Sequence, residues 1–314
     1  MSKVAIVGAG LIGRAWAITF ARAGHEIALT DADSEAPAAA VDFISGIATD
    51  LDRNDLLGGA TPDELVARIH PTDDLAEALS GAVYLQENTP EKVEVKKTVY
   101  AELDRLAGPD CLIGSSTSGI LPSAFTEELE GRHRCFVAHP INPPYLVPAV
   151  ELCPAPWTSE DVMARAAAFL RKAGQAPIVM KREIDGFIMN RMQGALLDEA
   201  VRLVADGYAS TEDIDIGIRE GLALRWSFMG PFETIDLNAP QGVRDYVERY
   251  YGLYQKIFAG MHEVDWRGDL LDSIEAQRRE RLSTDSLSER QAWRDRRLMA
   301  LAAHKRKAAK DLGE

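Results

Sequence analysis

Cysteine is scarce in this chain. Cys111, Cys135 and Cys153 are the three among 314 residues, an odd number with no C-x-x-C spacing. No disulfide framework is implied, no metal site is expected, and reduced thiols in a cytoplasmic protein are the natural reading. Positive charge is short as well. Lysine and arginine number 35 against 49 acids, a net charge of −14. Nucleic acid and anionic membrane surfaces both demand clustered cations, so neither is an expected partner. Long apolar runs are missing too, none approaching the roughly 18 to 20 residues of a membrane span. The opening "MSKVAIVGAG" has no n-region and h-region ahead of a cleavage site, so no signal peptide is expected. What remains is ordinary globular composition, 46% hydrophobic and 27% charged, in a chain long enough for two domains.

"KVAIVGAG" is a β-branched run that closes on glycine, the pattern of a buried strand. "LIGRAWAITFARAGH" follows at helical spacing, and "EIALTD" reads as a second strand. Strand, helix and strand within about thirty residues make a parallel βαβ unit. Further strands are predicted at "AVYLQE", "CLIGSS", "RCFVAHP", "VPAVELC" and "APIVMK", with helices at "EKVEVKKTVYAELDRLA" and "SEDVMARAAAFLRKAG". The alternation stops near Lys181. Beyond it, "GFIMNRMQGALLDEAVRLVADG" is apolar at helical spacing, and "STEDIDIGIREGL" opens with a capping hydroxyl and two acids. The expected organisation is an α/β Rossmann-type domain over 1–183 followed by an all-α domain over 184–314. The Arg- and Lys-rich tail from Gln277 to Lys310 reads as a solvated face of amphipathic helix.

Gly8, Gly10 and Gly13 form a G-x-G-x-x-G between the first strand and the first helix. The first glycine allows the tight turn, the second lets backbone approach a pyrophosphate, and the third lets helix and strand pack closely. The helix end then offers unpaired N–H groups and a positive dipole to the phosphate. Asp31 ends the second strand, where a carboxylate accepts from the adenosine ribose and repels a 2′-phosphate. NAD is therefore the expected cofactor. A flavin would suit the same fold, but the chain is short for a flavoprotein with a separate substrate domain.

Alcohol oxidation also needs a base poised near neutral pH, and histidine is the natural choice. Of the six histidines, His25, His70, His133, His262 and His304 read as surface residues in connections or polar surroundings. His139 follows the apolar "CFVA" at the end of a predicted strand, the edge where ligands sit in an open α/β sheet. Glu151, at the close of "AHPINPPYLVPAVEL", suits the role of orienter behind it. The proline-rich path between them is expected to hold the two at a fixed distance. On residues alone, a buried structural histidine accounts for the same stretch equally well.

The segments "VGAGLIGRAWA", "SSTS", "VAHPINPPYLVPAVEL", "GFIMNR" and "EGLALRWSFMGPFE" run through essentially the whole chain. With them the sequence resembles the 3-hydroxyacyl-CoA dehydrogenase superfamily. "LRWSFMGP" and the tail "RQAWRDRRLMALA" resemble its λ-crystallin group, whose activity is L-gulonate 3-dehydrogenation. The resemblance implies that His139 is the catalytic base and Glu151 its carboxylate partner. It also implies that Ser118 and Asn190 hold the reacting oxygen, with Asn142 nearby. On the cofactor side it implies Leu11 and Ile12 at the pyrophosphate, Asp31 at the ribose, and Glu91 and Lys96 beside the nicotinamide ribose. A homodimer is implied as well. Ser116 stands where the fatty-acid enzymes typically carry asparagine, a departure that weighs against an acyl-CoA substrate.

Charge weighs the same way. CoA is a polyanion and calls for Lys or Arg at the cleft mouth. The stretch after the second strand instead carries Asp42, Asp50, Asp52, Asp55, Asp63 and Glu64 against Arg53 and Arg68. A free carboxylate wants one guanidinium in the pocket. Arg225 in "LALRWSFMGP" is the candidate, with Trp226 and Phe228 as wall, unless Glu220 or Glu233 pairs with it. The expected reaction is NAD-dependent oxidation of the 3-hydroxyl of a small hydroxy acid, L-gulonate in particular. The alternatives are a 3-hydroxyacyl-CoA dehydrogenase, an L-carnitine dehydrogenase and a non-enzymatic structural role.

Overall fold

The computed structural model describes residues 2–313. The chain opens β1 (Lys3–Val7), α1 (Leu11–Arg22), β2 (Glu26–Thr30), α2 (Ala36–Arg53), α3 (Pro62–Ala67), β3 (Ile69–Pro71) and α4 (Leu75–Leu79). It continues with β4 (Ala82–Glu87), α5 (Val93–Leu106), β5 (Leu112–Ser115), α6 (Ser123–Thr126), β6 (Cys135–Pro140), β7 (Ala149–Pro154), α7 (Glu160–Lys172) and β8 (Ala176–Val179).

Burial explains why these runs are strands. Val4 and Ile6 enter one apolar cluster, while Ala5 and Val7 enter another. Tyr84 and Leu85, Leu112 and Ile113, and Phe136 and Val137 divide in the same way. Both faces of the sheet are therefore buried, as expected of a parallel sheet with helices on each side. The strand order is β3-β2-β1-β4-β5-β6-β7-β8, and its first six members follow the Rossmann order. Neighbours are parallel throughout except β6 and β7, which are antiparallel. The C-terminal ends of β1, β2, β4, β5 and β6 consequently share one edge.

Two details depart from the sequence reading. His70, expected in a loop, lies in β3, which pairs with Ile27, Ala28 and Leu29 of β2. Three residues ending in proline are too few to show a period. The tail is not solvated throughout either: Met299 is buried, with Leu298 and Ala302 packed on the same core.

The remaining elements are helical: α8 (Met189–Ala205), α9 (Thr211–Ile216), a π-helical stretch (Gly217–Leu222), α10 (Ala223–Trp226), α11 (Pro231–Leu237), α12 (Val243–Gly260), α13 (Asp269–Arg281) and α14 (Leu287–Leu312). Ser210 and Asp213 form a reciprocal capping box at the start of α9, the hydroxyl start read in "STED". One compact unit runs through Met189 and takes in Asp295–His304, whereas the other holds Asn190–Arg294 and Lys305 onward. Among the described residues, no helix is long and apolar enough to cross a membrane. None of their His, Cys, Asp or Glu residues gather in threes to hold a metal ion.

Candidate active site

At the edge above β1, two glycines of the turn have separate steric reasons and the third leaves open space. Gly8 has a φ of +94°, and a Cβ there would stand 2.7 Å from the Asn88 carbonyl oxygen. A Cβ on Gly13 would come within 1.8 Å of the Gly8 carbonyl oxygen. Gly10 meets nothing within 4 Å, so its side of the turn is open to a ligand. Asp31, just past β2, accepts the Ala9 N–H on Oδ2 at 2.6 Å and the Asp33 N–H on Oδ1 at 3.0 Å. Both oxygens keep lone pairs for ribose hydroxyls. Leu11 is exposed and Ile12 half-buried in the first turn of α1, where backbone N–H groups face the turn. These residues fit a dinucleotide: a bare helix end for its phosphates and an anchored carboxylate for its ribose.

Three strands along from β1, β6 pairs with β7 so that His139 lies directly opposite Glu151. Opposed residues in an antiparallel pair project to the same face at close range. His139 Nδ1 and Glu151 Oε2 are 2.7 Å apart, with Glu151 fully buried and His139 7% exposed. An ionised carboxylate accepts only, so Nδ1 carries the proton and Nε2 keeps its lone pair. Glu151 Oε1 takes the backbone N–H groups of Ile188 and Met189, each at 2.7 Å. Burial opposes charge on this carboxyl, yet the bonds from His139, Met189 and Ile188 prevail and hold it below the usual carboxylate range.

The chain reaches those two donors through a left-handed bend. Gly186 has φ +76° and Phe187 +51°, which is strained for an aromatic residue. Phe187 is fully buried, and its ring lies 5.6 Å from the His139 ring. Sequence reasoning passed over this residue, and its only signal was the glycine before it.

Ser118 is exposed in the loop after β5, at the same sheet edge. Glu91 holds that loop rather than standing apart from it. Its Oε1 accepts from the Thr117 hydroxyl at 2.5 Å, the Ser118 N–H at 3.0 Å and the Gly119 N–H at 3.1 Å. Lys96 is 1% exposed, with Nζ 2.9 and 3.0 Å from the two oxygens of Glu87. Its ammonium is enclosed at the end of β4, with the Thr89 carbonyl and the Ser115 hydroxyl each at 3.4 Å. Glu87, unnoticed in the sequence, ends β4 and is the partner that makes this burial tolerable.

Asn142 is exposed just beyond β6, and Asn190 follows Met189 in α8 as the first residue of the second unit. Arg225 is exposed in α10 close enough to Tyr246 to bear on its titration. Glu220, weighed as its partner, binds Arg219 instead, 2.6 Å away. His133, His262 and His304 are exposed, and His70 pairs with Glu26 at 2.7 Å on the surface. His25 differs from the surface expectation: it is half-buried against Phe20 and Phe169, and burial lowers its pKa.

Residues 3–184 match the NAD binding domain of 3-hydroxyacyl-CoA dehydrogenase, and residues 186–268 match its C-terminal domain. The chain belongs to the 3-hydroxyacyl-CoA dehydrogenase family. It is 37% identical to the lambda-crystallin homolog of Rattus norvegicus over 303 residues, 95% of each chain. It is 36% identical to an L-carnitine dehydrogenase of Bacillus cereus over 251 residues, 80% of this chain and 76% of that one. A solved structure of 5-formyl-3-hydroxy-2-methylpyridine 4-carboxylic acid 5-dehydrogenase, an NAD+ dependent dismutase, is similar with a TM-score of 0.81. Its identity is 27%, and 98% of each chain is covered. Membership of this family makes the chain an NAD-dependent oxidoreductase with a small-molecule substrate.

Proposed function

We propose that this enzyme oxidises the 3-hydroxyl of a small free hydroxy acid, with L-gulonate to 3-dehydro-L-gulonate as the specific reaction. The observation that carries the reading is the His139–Glu151 pair, with Nδ1 held by the carboxylate and Nε2 left as an acceptor. NAD, when bound, supplies the hydride acceptor. His139 takes the hydroxyl proton on Nε2, and Glu151 stabilises the imidazolium that results. The family resemblance assigns Ser118 and Asn190 to the reacting oxygen and Asn142 to the same reaction. Glu91 keeps the Ser118 loop in place.

The choice of a free acid over a CoA ester rests on charge. Arg53 is engaged by Asp50 at 3.2 Å, and Arg68 donates to the Ala21 carbonyl at 3.0 Å. Helices α2 and α3 are thus left with exposed Asp42, Asp52, Asp63 and Glu64, a surface that repels a polyanion. Arg225 is the proposed partner of the substrate carboxylate, with Trp226 and Phe228 beside it. Carnitine remains the second reading, favoured by the Bacillus cereus relative, and its trimethylammonium would sit poorly against that guanidinium.

A homodimer completes the proposal. The second unit leaves Phe232 80% and Phe228 74% exposed, along with Tyr208, Leu224 and Leu237. Apolar surface of this extent is usually covered in a stable protein. The resemblance makes a second copy its occupant, and light scattering that finds a monomer at micromolar concentration would reject that assignment.

The substrate is tested by following NADH production with L-gulonate, L-carnitine, 3-hydroxybutyrate and 3-hydroxybutyryl-CoA. The highest kcat/KM is expected with L-gulonate. Activity confined to the CoA ester would overturn the free-acid reading.

A further inference from the structure

A cation that no carboxylate among the described residues neutralises lies beside the glycine-rich turn. Arg14, half-buried in α1, places its guanidinium carbon 3.6 Å from the centroid of the Phe43 ring on α2. Its Nε is buried without a hydrogen-bond partner. The two most deeply buried guanidiniums hold carboxylates, Arg134 with Asp104 and Arg202 with Glu199 and Asp198, whereas Arg279 shares with Arg14 a buried Nε without a partner. An exposed cation is served by water, but one pressed on an aromatic face is partly stripped of it.

Its position says where an anion would come from. The Arg14 N–H donates to the Gly10 carbonyl at 3.0 Å, one turn back along the helix. Residues one turn apart share a helix face, so Arg14 stands on the face of exposed Leu11 and of Gly10, whose own side is open. On another side of the same helix, the Trp16 indole donates to Ser116 Oγ at 3.0 Å, two residues before Ser118. The start of α1 is thereby tied to the loop that carries the proposed oxygen-binding serine.

We propose that Arg14, held in place by Phe43, is an anion-binding residue of this active site. A guanidinium stacked on a ring presents a planar fork, which suits two oxygens of a phosphate or a carboxylate. Two groups bring that chemistry to this edge: the pyrophosphate of the cofactor and, in place of the Arg225 assignment, the carboxylate of the hydroxy acid. The second rests on the substrate reading above, whereas the first stands without it.

Arg14→Met and Arg14→Lys separate the possibilities. NADH dissociation constants come from fluorescence titration, KM from the best substrate of the hydroxy-acid panel, and melting midpoints from circular dichroism. Arg14→Met is expected to melt at or above the wild-type midpoint, because it removes an uncompensated charge. It is also expected to weaken one ligand at least tenfold, with Arg14→Lys intermediate. A weakened NADH complex assigns the pyrophosphate. A raised KM with NADH binding intact assigns the carboxylate. Should the panel yield no substrate, the NADH titration still tests the first assignment. Both constants within twofold of wild type would overturn the proposal. So would a binding loss that tracks a fall in melting midpoint, since that marks Arg14 as a structural brace.

Discussion

Two buried carboxylates of one sheet are treated in opposite ways. Glu87 closes β4 and meets Lys96 on both oxygens, the Ser115 hydroxyl at 2.5 Å and the Thr89 N–H at 2.6 Å. Glu151 in β7 meets two backbone N–H groups and one imidazole. The Lys96 ammonium faces both oxygens of the first, and its surroundings are complete. Neutral donors hold the second, and its remaining partner gains a charge only when His139 takes a proton. Burial alone therefore does not mark a working carboxylate. What sets Glu151 apart is an imidazole partner that keeps one nitrogen outside the pair.

The comparison can be broken at either end. Glu151→Gln is expected to cut kcat by about a thousandfold or more, because an amide no longer sets the imidazole tautomer. NADH titration should be nearly unchanged in that variant. Lys96→Met should act on stability instead, costing about 3 kcal/mol by leaving Glu87 buried without its counter-ion. Denaturant unfolding would measure it, with kcat per folded molecule within a few fold of wild type. A weakened NADH complex at full stability would return Lys96 to the cofactor role that the family resemblance implies.

Smaller effects sharpen the picture. Glu91→Gln removes charge from the acceptor of three donors around Ser118, and about a tenfold fall in kcat is expected from the loosened loop. If NADH affinity alone fell, Glu91 would belong to the nicotinamide ribose. The pH dependence of stability should be smaller still. Glu151 is held below the usual carboxylate range, so its contribution is complete above that range and disappears as pH falls through the folded value. Wild-type stability should drop toward acid with a slope that Glu151→Gln flattens.

The nucleotide half of the site was legible because it depends on local rules. Glycine spacing, strand ends and an acid after β2 are short-range signals, and the steric fit of Gly8 and Gly13 explains why glycine stands at those two positions. The pair proposed for catalysis was legible as residue types but not as geometry. The proline-rich path returns the chain, yet it is the antiparallel register of β6 and β7 that sets His139 opposite Glu151. A slip of one residue would send Glu151 to the other face. The enclosure of Lys96 was not legible, since its partner lies on a separate strand and α5 reads as an ordinary amphipathic helix. The left-handed φ of Phe187 was hidden for a related reason: an aromatic residue argues against it locally, and long-range packing overrules that preference.

The central claim is that His139 takes the substrate proton while the cofactor binds elsewhere along the sheet edge. Rapid-mixing measurement of NADH formation in His139→Gln, beside an NADH titration of the same variant, tests it most directly. Hydride transfer should fall at least about a thousandfold, in line with loss of a general base and its tautomer control, while the NADH dissociation constant stays within twofold. Transfer within tenfold of the wild-type rate would contradict the account.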